Sequence, residues 1–192
     1  MGDKMYTSLK QVYDEVSQCK KCELCKTRTN VVFGEGNLRA KLMFIGEGPG
    51  QREDEMGRPF VGPAGQLLDK MIEAIGLARS DVYIANIVKC RPPYNADPKP
   101  EYAAMCISYL REQVRFIHPK IIVCLGRIAT QHIIKEVTGI NRIHGRVYER
   151  NGFYLIPTFH PAALLRDESK KRLAWEDFKT IRDLLKAENE QT

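Results

Sequence analysis

Short apolar runs alternate along this chain with stripes of apolar residues at helical spacing. Continuous apolar runs bounded by glycine or polar residues predict strands buried on both faces, at residues 42–45, 82–88 and 121–125. Apolar positions that recur every three or four residues predict helices, over residues 8–18, 67–75, 103–117 and 174–185. The pair Asn151-Gly152 between two further apolar segments predicts a tight hairpin.

This alternation predicts an α/β fold. Strands that alternate with helices are typical of a three-layer α/β/α arrangement with a central, mainly parallel sheet. The chain has 192 residues, which suits one domain spanning residues 1–192. Ligands of such sheets bind beyond the carboxyl ends of the strands. We therefore expect a site in the loops after Ile45, after residues 82–88 and after Ile156.

Composition adds an expected compartment and permits one class of partner. The formal net charge is +6, which allows a polyanionic partner without requiring one. No apolar run approaches the roughly 20 residues that span a bilayer, and residues 1–10 lack the apolar core of a signal peptide. We expect a cytoplasmic protein without a membrane segment.

The cysteines point to a metal site. Six cysteines in a protein expected in the cytoplasm argue against a disulfide framework. Cys19 and Cys22 form a C-x2-C pair, and Cys90 and Cys106 bracket a proline-rich loop. Four thiolates can hold either an iron–sulfur cubane or a structural zinc ion. The alternative is that these side chains are small buried hydrophobes, as free cysteines often are.

Two further cysteines bear on that assignment. Cys25 extends the first pair to C-x2-C-x2-C and could compete as a ligand. Cys124 lies inside an apolar run, so we expect it in the core.

The sequence predicts a loop rich in glycine and proline from Gly46 to Pro63, after the first predicted strand. Gly46-Glu47-Gly48-Pro49-Gly50 matches neither common phosphate-binding pattern. Its glycines instead allow a flat ligand to approach the backbone closely. Phe60 follows in a glycine-flanked loop, where an aromatic ring could stack on such a ligand.

Together these motifs resemble the type-4 uracil-DNA glycosylases, the iron–sulfur branch of the uracil-DNA glycosylase superfamily. The resemblance runs from about Cys19 to the last predicted helix, and the order and spacing of its motifs are specific. The motifs are Cys19-x2-Cys22, Gly46–Gly50 with Glu53-Asp54, Gly57-x-Pro59-Phe60-Val61-Gly62, Asn86-x2-Lys89-Cys90-Arg91-Pro92-Pro93, Cys106 and His160-Pro161-Ala162.

The resemblance implies an activity and a cofactor. It implies a hydrolase of base excision repair that cleaves the N-glycosidic bond of uracil in single- or double-stranded DNA. Free uracil and an abasic site are then the products, and the enzyme is expected to be a monomer. It also implies a [4Fe–4S] cluster held by four thiolates, those of Cys19, Cys22, Cys90 and Cys106.

The resemblance also implies a role for each predicted site residue. Gly46, Glu47 and Gly48 would line the uracil pocket, and Phe60 would stack on the flipped base. Asn86 would read the uracil edge with its amide, and His160 would face the uracil O2. The predicted catalytic residues are therefore His160, Glu47 and Asn86.

Two positions depart from the best-known branch of the superfamily. Gly48 stands where those enzymes have the Asp that handles the water, and Gly50 stands where they have a Tyr that excludes the thymine methyl group. For a carboxylate beside the sugar, Glu47 is the closest candidate in sequence and Asp54 is the second.

The chemistry of the residues agrees with such an enzyme. One amide supplies a donor and an acceptor, which matches uracil O4 and N3–H, whereas cytosine presents the reverse pattern. A donor aimed at O2 would stabilise the charge that forms on the leaving base. A DNA-binding metal protein without catalysis and a small electron carrier are the rival interpretations.

Overall fold

The structure of the protein is a computed structural model that describes residues 5–190. It contains one six-stranded sheet in the order β1-β3-β2-β4-β6-β5. The strands are β1 (Glu35–Gly36), β2 (Leu42–Gly46), β3 (Tyr83–Asn86), β4 (Ile121–Leu125), β5 (Tyr148–Arg150) and β6 (Phe153–Thr158). The four central strands are parallel, and only β1 and β5 at the two edges pair antiparallel.

Helices and short 3₁₀ turns connect the strands. The α-helices are α1 (Leu9–Ser17), α2 (Gln51–Met56), α3 (Pro63–Ala74), α4 (Pro100–Ile117), α5 (Gly126–Ile133), α6 (Ile140–Ile143), α7 (Pro161–Arg166) and α8 (Lys171–Glu190). The four predicted helices and three predicted strands are confirmed, although the second strand is shorter than expected. The prediction of an uninterrupted loop between Gly46 and Pro63 was wrong, because α2 interrupts it.

Alternate residues of the strands pack into two separate apolar cores. Met43 and Ile45 of β2 join one core, to which α4 contributes. Leu42 and Phe44 join the other core, which α3 and α8 cover. Every residue of β2 is buried, as expected for a strand with helices on both sides. The predicted three-layer α/β/α fold is therefore confirmed.

The remaining predicted turn is also present. Asn151 and Gly152 connect β5 to β6 with φ angles of 52° and 78°. Two consecutive positive φ angles match the twist of a two-residue hairpin. None of the helices within residues 5–190 is both long and apolar enough to cross a membrane.

Candidate active site

A cleft of about 850 Å³ opens at the carboxyl ends of the parallel strands. Its walls come from the segments that follow β2, β3, β4 and β6. Glu47, Asn86, Gly126 and His160 each lie at or just beyond one of these strand ends and line the cleft. The cleft therefore lies at the strand ends where the topology predicts a site.

Asn86 ends β3 and is 1% exposed. Its Oδ1 is buried and accepts no hydrogen bond from any residue in the described range 5–190. An unsatisfied buried acceptor costs about 1–3 kcal/mol. Because Asn86 also lines the cleft, a ligand that donates a hydrogen bond there would remove that cost.

Phe60 and Asn86 meet beside Gly46. A β-carbon on Gly46 would lie 2.5 Å from Asn86 Oδ1 and 2.6 Å from Phe60 Cζ, so only glycine leaves room for both side chains. Gly46 therefore lies behind the cleft wall, whereas Glu47, Gly48, Phe60 and Asn86 line the cleft.

The backbone of Phe60 is held in an uncommon conformation. Its φ is 51°, in the left-handed region that non-glycine residues rarely adopt. Gly65 of α3 packs against it so closely that a β-carbon would overlap the Phe60 carbonyl. This packing directs the Phe60 ring toward His160, with ring centroids 5.6 Å apart and planes inclined by 31°.

His160 stands at the N-terminus of α7 and is neutral. The amide N–H of Ala162 donates to His160 Nδ1 over 3.1 Å, which leaves the ring proton on Nε2. Burial, together with the nearby Arg166, lowers the pKa of His160 to about 4. Near pH 7 the ring therefore presents a neutral N–H donor to the cleft.

Glu47 is the carboxylate whose acidity the cleft changes most. Burial, and then the negative charge of Asp97, raises its pKa to about 7, while Arg127 opposes that rise. Asp97 and Arg127 both line the cleft and form an ion pair with each other. Glu47 is thus about half ionised near neutral pH.

Two neighbouring carboxylates have different surroundings. Glu53 lines the cleft, and its Oε1 accepts hydrogen bonds from the backbone N–H groups of Val61 and Gly62 at 2.9 and 2.8 Å. Asp54, the second carboxylate predicted for the sugar, is buried outside the cleft lining and accepts from the backbone N–H of Thr29. The sequence interpretation therefore chose the wrong residue of the Glu53-Asp54 pair as a cleft carboxylate. Helix α2, which it missed, places the two side chains on different faces.

Five cysteines surround a second, much smaller cavity, namely Cys19, Cys22, Cys25, Cys90 and Cys106. The sixth, Cys124, is fully buried in β4, as predicted. Arg28 donates to Cys90 Sγ over 3.1 Å, and Lys89 lines the same cavity. Within residues 5–190, no three His, Cys, Asp or Glu side chains lie close enough together to share one metal ion.

The raised pKa of Glu47 predicts a pH dependence of whatever reaction needs its carboxylate. Ionisation is lost as the pH falls through about 7, so kcat/KM is expected to fall about tenfold per pH unit below that value. Asp97→Asn should move the midpoint to lower pH, because it removes a negative charge near Glu47. Arg127→Gln should move the midpoint to higher pH. Glu47→Gln should abolish this acid limb of the pH profile, that is, the fall in kcat/KM below about pH 7. Equal midpoints in the parent and both neighbour variants would contradict this assignment.

Comparison with known proteins agrees with the geometry. A family model described as the uracil DNA glycosylase superfamily matches residues 33–179. A type-4 uracil-DNA glycosylase of Sulfurisphaera tokodaii is 46% identical, over 92% of this chain and 84% of that protein. A type-4 uracil-DNA glycosylase of Archaeoglobus fulgidus is 46% identical, over 92% of this chain and 93% of that protein. One of Thermotoga maritima is 44% identical, over 96% of this chain and 100% of that protein.

Proposed function

This chain belongs to the uracil-DNA glycosylase superfamily and, within it, to the type-4 uracil-DNA glycosylases, and on that premise we propose how its cleft excises uracil from DNA. The reaction is hydrolysis of the N-glycosidic bond, which releases free uracil and leaves an abasic site. The observation that carries the proposal is the buried, unsatisfied Oδ1 of Asn86 at the end of the cleft.

Base recognition rests on Asn86 and Phe60. The Oδ1 of Asn86 accepts the uracil N3–H, and the Nδ2 of the same amide donates to O4. Cytosine would place an acceptor opposite Oδ1 and a donor opposite Nδ2, which leaves buried polar groups unpaired. The Phe60 ring stacks on the flipped base, and this stacking offsets part of the cost of extrusion.

Bond cleavage rests on charges that develop on either side of the broken bond. Negative charge forms on the uracil, where His160 Nε2–H donates to O2. Positive charge forms on the sugar, where the Glu47 carboxylate stabilises it and orients the attacking water. Glu47 takes this role because Gly48 offers no side chain, and Glu53 already accepts two backbone hydrogen bonds.

An assay of uracil release tests the proposed activity. The parent protein should release free uracil from a uracil-containing oligonucleotide, single- or double-stranded, and should leave a matched cytosine-containing oligonucleotide intact. Base release should be accompanied by an alkali-sensitive abasic site at the same position. An intact uracil strand after prolonged incubation with protein that binds it would instead favour the rival of a DNA-binding protein without catalysis.

We also propose that the thiol-lined cavity holds a [4Fe–4S] cluster on Cys19, Cys22, Cys90 and Cys106. The thiols of these four residues line one cavity, as the ligands of a four-cysteine iron–sulfur cluster must. The adjacent cations of Arg28 and Lys89 offset the negative charge that four thiolates would bring. When bound, the cluster supplies bonds that tie the chain around Cys19 to Cys90 and to α4.

Cysteine variants separate the four proposed ligands from their neighbour. Purified protein should absorb light at about 400 nm, the region expected for thiolate-bound iron, and should contain iron and inorganic sulfide. Cys22→Ser should lose most of this absorbance and iron, whereas the matched Cys25→Ser should retain both. The reverse outcome would make Cys25 the ligand, and zinc without iron in the parent would refute the cluster.

The proposal extends to the substrate, the cellular compartment and the oligomeric state of the enzyme. Its substrate is uracil-containing DNA, which the net charge of +6 favours through phosphate contacts. That it works as a cytoplasmic monomer stays a prediction.

A further inference from the structure

Tyr94 is an exposed aromatic residue in the loop between β3 and α4. Its side chain is 98% exposed, more than any other large hydrophobic residue found exposed in the described part of the chain. It lies between Pro92 and Asn95, both of which line the cleft. A tyrosine so fully in water gains nothing from burial, so its place in the fold alone does not explain it.

The backbone of Tyr94 adopts a conformation that is unfavourable for a residue other than glycine. Tyr94 has φ 57° and ψ 21°, in the left-handed region that favours glycine. Asn95 follows with φ 53°, so two consecutive non-glycine residues adopt this conformation. Left-handed residues cluster where the surrounding structure holds them for a function.

The surrounding loop is stiff and anchored. Prolines occupy three of its positions, at residues 92, 93 and 98, and Pro100 begins α4 directly after it. Arg91 donates to Asn95 Oδ1 over 2.8 Å, and the Asn95 amide N–H donates to the Pro92 carbonyl over 3.1 Å. A ring presented by such a loop loses little conformational freedom when it meets a ligand.

We propose that Tyr94 stacks on the nucleobase next to the flipped uracil on the same strand. The proposal rests on the proposed function, because it needs the target nucleotide of a DNA strand, or its abasic product, in the cleft. A flat aromatic ring in water is suited to any base face, whatever the sequence. A base that is unpaired can leave its neighbours and stack on Tyr94, whereas a paired base is already stacked on both sides. Tyr94 therefore favours single-stranded or locally unpaired substrates over fully paired duplex.

Variants at Tyr94 separate the ring from the backbone conformation. Tyr94→Ala removes the ring and keeps the strained β-carbon, Tyr94→Phe keeps the ring, and Tyr94→Gly removes both ring and strain. Tyr13→Leu is the matched control, because Tyr13 is 51% exposed on α1 and lies outside the cleft lining. The DNA probe is a single strand with a tetrahydrofuran abasic analogue, which is not cleaved, and 2-aminopurine on its 5′ or 3′ side.

Binding and fluorescence are the readouts. Tyr94→Ala and Tyr94→Gly should weaken binding to the single strand about tenfold and should reduce 2-aminopurine quenching at one of the two positions. Tyr94→Phe and Tyr13→Leu should bind like the parent. The loss should be smaller on a duplex with paired flanking bases. The slope of log Kd against log salt should not change, because the ring contacts no phosphate.

The outcomes distinguish this proposal from the proposed function. If the parent releases uracil but Tyr94→Ala binds and quenches the probe as the parent does, the stacking role alone is overturned. A changed salt slope would also overturn it, since Tyr94 would then act through a phosphate contact. Failure of the parent to release uracil would instead contradict the proposed function. Binding to the uncleaved probe is a separate measurement, because it does not report uracil release.

Discussion

Replacing Asn86 by leucine is expected to lower kcat/KM for uracil release by about 10⁴-fold, and at the same time to stabilise the free protein. The catalytic loss follows because uracil N3–H and O4 would then enter a buried site without partners. The gain in stability follows because the unsatisfied Oδ1 disappears. A side chain of similar size without that acceptor should raise the free energy of unfolding by about 1 kcal/mol.

A second buried amide provides the control for Asn86. Gln113 is 0% exposed and lies outside the cleft. It accepts from Lys89 Nζ over 2.6 Å and donates to the carbonyl of Phe33 over 2.9 Å. Gln113→Met removes both of these buried hydrogen bonds and leaves the Phe33 carbonyl without this donor, so it should lower the free energy of unfolding by about 2 kcal/mol.

Denaturant titration and steady-state kinetics measure the two effects separately. Opposite signs of the stability change in Asn86→Leu and Gln113→Met would show that the Asn86 amide is held for a ligand. If Asn86→Leu lost stability as Gln113→Met does, the amide would serve the fold. The base-reading role would then lose its physical basis.

The sequence predicts the place of the site because parallel strands end at one edge. Asn86 ends a buried strand, Glu47 follows another and His160 follows a third, so their convergence needs only the topology. These residues also carry the family resemblance. Pattern and motif therefore lead to the same three side chains.

Other features of the cleft depend on tertiary contacts that no pattern encodes. Helix α2 has only six residues, too few for an apolar period to show, and it decides that Glu53 rather than Asp54 lines the cleft. The left-handed backbone of Phe60 depends on contact with Gly65. The raised pKa of Glu47 depends on its burial and on Asp97, fifty positions away in sequence.

Replacing His160 is expected to separate catalysis from helix capping. His160→Ala should lower kcat/KM by about 10²–10³-fold, because no donor then meets the charge that develops on uracil O2. It should also cost about 1 kcal/mol of stability, because the Ala162 N–H loses the acceptor that caps α7. His160→Asn should keep the stability, since asparagine is a good N-cap, and should lose the activity because its shorter side chain withdraws the donor from the cleft.

Leaving-group and pH dependence test the role of His160 more closely. 5-Fluorouracil departs more easily as an anion than uracil, so the defect of His160→Asn should be smaller on that substrate. Because the pKa of His160 is about 4 and that of Glu47 about 7, the acid limb near pH 7 belongs to Glu47. His160→Asn should therefore retain that limb at a lower overall rate. Loss of the limb in His160→Asn, with its retention in Glu47→Gln, would exchange the two assignments and make the histidine the titrating group.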